Sequence, residues 1–124
     1  MNKIKVFVVD DSPVARTMLT RILQSDPEIE VVGEAGSGQG SIIMLDEVHP
    51  DIVMLEATIG GRMGIDDVVK EIRNLNENIK IIICSAQDGF DQVITAAQTG
   101  PIEFVRKPYQ KINILRVIHE MMEG

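Results

Sequence analysis

The chain has 124 residues, 44% of them hydrophobic and 25% charged, the balance of one globular domain long enough to bury a core. Its formal net charge of −7 argues against nucleic acid or an anionic membrane surface as a partner, since phosphate binding needs clustered Lys and Arg. Aromatics make up 3% and Trp is absent, so the core must rest on Ile, Val, Leu and Met.

"MNKIKVFVVDDS" opens the chain with an apolar stretch far too short for a signal peptide. No run approaches the ~20 apolar residues of a membrane helix. The expected setting is cytoplasmic. The one cysteine, Cys84, sits in the apolar run "KIIICSA"; it reads as core packing and fits a reducing compartment.

"KVFVVD" (5–10) is short, β-branched and continuously apolar, the pattern of a parallel strand covered on both faces. Ser12-Pro13 then offers a helix cap with proline at the first helical position. Val14, Met18, Leu19 and Ile22 recur at helical spacing until Ser25-Asp26-Pro27 stops them. "IEVVGEA" (29–35) reads as the second strand, Gly36 to Gly40 as a loop, and Ser41 to Val48 as a helix closed by His49-Pro50. "DIVMLE" (51–56) is a third strand, and Ile65, Val68, Val69 and Ile72 mark one face of the next helix. "KIIICS" (80–85) is a fourth strand, followed by a helix over 91–99 that Gly100-Pro101 ends. "EFVRK" (103–107) is the fifth strand, and Ile112, Leu115, Ile118, His119 and Met122 mark a final helix. His49 reads as a helix-end cation and His119 as a satisfied helix residue.

Five strands alternating with five helices imply one α/β domain over 1–124, a parallel sheet covered by helices on both faces. In such sheets the functional crevice lies outside the carboxyl ends of the strands. Asp10 and Asp11 follow strand one, Glu56 ends strand three, Ser85 and Ala86 close strand four, and Lys107-Pro108 follow strand five. Three carboxylates, a hydroxyl and a lysine should therefore meet at one edge. Carboxylates packed together repel unless something positive sits among them. A hard divalent ion such as Mg²⁺ suits oxygen ligands, and a lysine suits a phosphoryl oxygen or a free carboxylate. The chemistry suggested is phosphoryl transfer onto a carboxylate.

With "VVDDS" (8–12), "PDIVMLE" (50–56), "CSA" (84–86) and "FVRKPY" (104–109) in this order, the chain resembles the receiver domain of two-component response regulators, the single-domain chemotaxis regulators among them. "SDPEIEVVGEA" (25–35) is also similar to the receiver of chemotaxis methylesterases. The resemblance covers essentially the whole chain. It implies a flavodoxin-like fold with strand order 2-1-3-4-5. It implies that Asp10 and Asp11 hold Mg²⁺ directly or through water, with Glu56 and the backbone carbonyl of Thr58 completing the set. Lys107, Ser85 and Ala86 would contact the phosphate or carboxylate, and Ser85 and Phe104 would form the switch pair. Packing is an equally good account of Phe104. No residue is assigned a catalytic role.

The departure lies at the acceptor position, where the family has Asp and this chain has Glu56. The usual Met-Pro pair of the following loop is Ile59-Gly60, and the stretch from Thr58 to Ile72 reads as one residue longer, which weakens the case for Thr58. Glu carries its carboxylate about 1.5 Å further from the strand. Transfers of this kind lose on the order of 100-fold in rate for a displacement of about 1 Å. Glu56 therefore reads first as a silenced acceptor that imitates the phosphorylated state in part. Next comes a working receiver whose Asp was exchanged to imitate phosphorylation, and then a receiver phosphorylated on Glu56. A Mg²⁺-dependent phosphoryl-transfer or hydrolase domain is the rival from another class. A flavin-binding relative of the fold is disfavoured because Asp10-Asp11 would repel the cofactor. The resemblance further implies a sensor histidine kinase or an output protein as partner, met on the face from Asp88 to Met122.

Overall fold

The computed structural model describes residues 2–59, 63–86 and 100–123. Its elements alternate along the chain: β1 (Ile4–Val9), α1 (Pro13–Gln24), β2 (Ile29–Ala35), α2 (Gly38–Val48), β3 (Ile52–Glu56), α3 (Ile65–Leu75), β4 (Lys80–Ser85), β5 (Ile102–Arg106) and α4 (Lys111–Glu123). The helix expected over 91–99 lies outside the described residues. All strand pairs are parallel and the order is β2-β1-β3-β4-β5, as expected. This is the flavodoxin-like arrangement. None of the described helices is long and apolar enough to cross a membrane.

Alternation along each strand sends successive side chains to opposite faces. Phe7, Val9, Val53, Leu55, Ile81 and Ile83 build one core cluster with Val68, Val69 and Ile72 of α3 and Leu45 of α2. Val6, Val8, Ile52, Met54, Ile82 and Cys84 build the other with Leu19 and Leu23 of α1 and Ile114 and Ile118 of α4. Most of these side chains are fully buried. Each Val, Leu, Ile or Phe so buried contributes roughly 1.5–3 kcal/mol.

Two helices show which of their apolar residues face the sheet, and one sequence expectation needs correction. On α1, Val14 is 70% and Met18 54% exposed while Leu19 and Leu23 are buried. Apolar residues occupy two overlapping stripes of this helix, and the sheet selects the Leu19–Leu23 one. On α4 Ile112 is 84% exposed, and the face on the sheet runs through Ile114, Val117 and Ile118. Finally, α2 begins at Gly38 rather than Ser41, because the Ser37 hydroxyl accepts the Gly40 N–H at 3.0 Å and caps the helix. Gly38 is required there: a Cβ would lie 2.7 Å from Val68 Cγ2 and 3.0 Å from Met63 Cβ.

The opposite end of the sheet is tied by Arg73 near the end of α3. Its guanidinium donates to the Pro101 carbonyl at 2.8 Å and to the Ile79 carbonyl, lying across Gly100, whose φ is +105°.

Candidate functional site

Strand alternation assembles the site. Asp10 continues the Val6–Val8 side of β1, Glu56 the Ile52–Met54 side of β3, and Cys84 the Ile82 side of β4. Lys107 continues the Val105 side of β5 in the same way. All four therefore belong to the sheet face covered by α1 and α4, at its carboxyl edge. Glu56 pairs with Cys84 in the β3–β4 register. Ser85 follows Ile81 and Ile83 on the other face, and Phe104 packs against that same cluster.

Asp10 and Glu56 are both buried, at 3% and 5% exposure. The ammonium of Lys107 lies between them, 3.3 Å from Asp10 Oδ2 and in direct contact with Glu56 Oε2. Every remaining carboxylate oxygen of the pair has a protein donor. Asp10 Oδ1 accepts the Ser12 N–H at 2.9 Å. Glu56 Oε1 accepts the Thr58 N–H at 3.3 Å and the Thr58 hydroxyl at 3.0 Å. The Lys107 N–H donates to the Ser85 carbonyl at 2.9 Å, and the Lys107–Pro108 peptide bond is cis. Arg16 donates to the Asp10 carbonyl at 2.6 Å and pairs with Glu34 at 3.6 Å, fixing the turn after β1.

Burial opposes the charge on Lys107, but Glu56 and then Asp10 more than offset it, so its pKa is raised. The ammonium stays charged throughout the physiological range. Tyr109 sits beside it, with Lys107 Nζ 5.8 Å from the ring centroid. Burial pushes the Tyr109 hydroxyl up, and the Cys84 contact adds to it. Burial likewise pushes the Cys84 thiol up to about 12, which keeps it protonated and unreactive.

A hard divalent ion takes oxygen ligands, and the oxygens here are already in use by protein donors. The four oxygens of Asp10 and Glu56 all face protein donors, and Asp11 is exposed. Thr58 turns its N–H and hydroxyl to Glu56. Among the described residues no three His, Cys, Asp or Glu side chains group to hold a metal. As arranged, Lys107 offsets one of the two buried negative charges, and Mg²⁺ would have to share these oxygens with the donors they already accept.

Of the residues expected at this edge, Asp10, Glu56, Thr58 and Lys107 form one bonded group. Asp11 and Ala86 lie exposed at the same edge, and Ser85 is buried beside it. Phe104 is half-buried and lines a cleft of about 240 Å³ with Asn113, Arg116, Val117 and Met121 of α4. Residues 88–99 of the expected partner face lie outside the described residues. Sequence reasoning missed Arg16, Cys84 and Tyr109 as neighbours of the group. Counting by twos from Ile82 would have put Cys84 on the acidic side.

The response regulator receiver domain family matches residues 6–119. The chain is 35% identical to the chemotaxis protein CheY of Thermotoga maritima over 117 residues, covering 94% of this chain and 96% of that one. It is 38% identical over 112 residues to the protein-glutamate methylesterase/protein-glutamine glutaminase of Pyrococcus horikoshii, spanning 90% of this chain but only 30% of that protein. Among solved structures, the response regulator domain of Thermotoga maritima CheB superposes with a TM-score of 0.85 at 25% identity, covering 99% of this chain and 98% of that one.

Proposed function

The chain belongs to the response regulator receiver family, and from that premise we propose that it signals by binding a partner while its acceptor position no longer takes phosphate in the usual way. One observation carries this reading: both oxygens of Glu56 are engaged within the protein, Oε1 by Thr58 and Oε2 by Lys107. An attacking carboxylate must present an oxygen to phosphorus with Lys107 left to meet the phosphoryl oxygens, and here Lys107 is already drawn onto Glu56 itself. The longer arm of Glu also brings a negative charge against Lys107, the contact a phosphoryl oxygen would make. It imitates phosphorylation with one charge where phosphate carries nearly two.

The rest of the reading follows the family. Ser85 and Phe104 act as the switch pair on the α2–α3 side of the sheet. Mg²⁺ binding is weakened, since Lys107 already occupies an oxygen of both Asp10 and Glu56. The partner, a sensor histidine kinase or an output protein, docks on the face from Asp88 to Met122. Its described part exposes Arg106, Lys111 and Arg116 beside Glu103 and Glu120. The domain is cytoplasmic and performs no turnover of its own.

Amide NMR spectra of the protein and of Glu56→Asp test this, the variant recorded before and after a small phosphodonor with Mg²⁺. The resonances of β4, β5 and α4 in the parent should lie displaced from the untreated variant toward the phosphorylated one. Coincidence with the untreated variant would mean that Glu56 imitates nothing.

A further inference from the structure

A lysine side chain is a flexible stem, and holding it between two acids costs rotamer entropy unless neighbours limit its freedom. The ammonium of Lys107 contacts both acids, and the ring of Tyr109 lies within cation–π range at 5.8 Å. The ring is itself anchored. Its hydroxyl neighbours the buried Cys84 thiol, which faces the Ile82 carbonyl at 4.0 Å. Tyr109 also packs against the α1–α4 core. Cys84 stands opposite Glu56 in the sheet, so the Tyr109 neighbour and the acid share one strand pair.

From this we infer that Tyr109 is a positioning residue: its ring, packed against the α1–α4 core beside Cys84, holds the Lys107 ammonium on Glu56 and Asp10. This rests on the Lys107–Glu56 pairing behind the proposed function. Phosphate uptake at Glu56 would refute that function and leave the Tyr109–Lys107 relation to be read separately.

A double-mutant cycle in urea tests it with Tyr109→Met, which fills the space without a ring, and Lys107→Met. The two changes should couple by about 5-fold or more in the unfolding equilibrium, consistent with a partly desolvated cation–π contact. Independent sites depart from additivity by only about 2-fold. Tyr109→Phe keeps the ring and supplies the second reading, the exchange of the Lys107 ammonium protons with water. Exchange should stay slow in Tyr109→Phe and quicken in Tyr109→Met. Additivity in the cycle, or ammonium exchange in Tyr109→Phe as fast as in an exposed lysine, would overturn the inference.

Discussion

Lys107 and Glu56 stand 51 positions apart in the chain and meet at the carboxyl edge of the sheet, ammonium against Oε2, with Asp10 Oδ2 3.3 Å away. The pair is mostly removed from water: the Glu56 side chain is 6% exposed and that of Lys107 24%. A single internal cation offsets one of the two buried negative charges.

Removing that cation leaves two carboxylates facing each other. Lys107→Met should destabilise the fold by about 3 kcal/mol, the low end for a broken buried pair because part of Lys107 remains hydrated. The double variant with Glu56→Gln should recover a large share of the loss. Urea titrations monitored by circular dichroism measure both; equal losses in the single and double variants would count against the pairing.

Metal should matter little to this protein. Its melting temperature is expected to stay constant between excess EDTA and millimolar Mg²⁺, while Glu56→Asp should rise by several degrees on adding Mg²⁺. A rise of the same size in the parent would mean that the ion displaces Lys107 with ease.

The α1–α4 side carries a pH-dependent tie. His119 Nε2 lies 2.8 Å from Asp26 Oδ2. The hydrogen bond to Asp26 raises the histidine pKa, and the one to His119 lowers that of the aspartate. A raised histidine contributes fully below its ordinary value of about 6.5 and loses the contribution as pH climbs through the raised value. A lowered aspartate contributes above about 3.8 and loses it as pH falls through the lowered value. Stability from this pair should therefore peak in mildly acidic solution and decline toward alkaline pH. The effect should stay below about 1 kcal/mol, because His119 is partly exposed. His119→Gln should flatten the decline between pH 6 and 8 in denaturation curves; an unchanged slope would assign it to other groups.

Gly100 should tolerate no side chain. At φ +105° an L-residue is strained, and a Cβ would lie 2.8 Å from the Arg73 guanidinium carbon. Gly100→Ala should lose about 1–2 kcal/mol from the backbone alone and more from the displaced arginine. Adding Arg73→Ala should remove the second part only, which thermal unfolding of the single and double variants resolves.

Most of the fold was legible in the sequence because its strands are short, continuous apolar runs. "IEVVGEA" and "KIIICS" coincide with β2 and β4 to the residue. The helices were legible in existence and not in orientation, since α1 and α4 each carry more apolar residues than one face can bury. The α2 start was missed because glycines argue for a loop until the Ser37 cap and the closeness of α3 are known. At the site, the convergence of Asp10, Glu56 and Lys107 follows from strand ends alone. The bonds from Thr58 to Glu56 do not, because they depend on how the chain turns after β3. Tyr109 and Cys84 were hidden for a similar reason: each looks like packing until the other is beside it.

The central claim is that Glu56, held by Lys107 and Thr58, no longer accepts phosphate. Intact-mass spectrometry after exposure to a small phosphodonor with Mg²⁺, run beside Glu56→Asp, tests it most directly. The variant should gain the mass of one phosphoryl group and the parent none. A parent that gains the same mass, mapped to Glu56, would contradict the account and make this a receiver switched through a glutamyl phosphate.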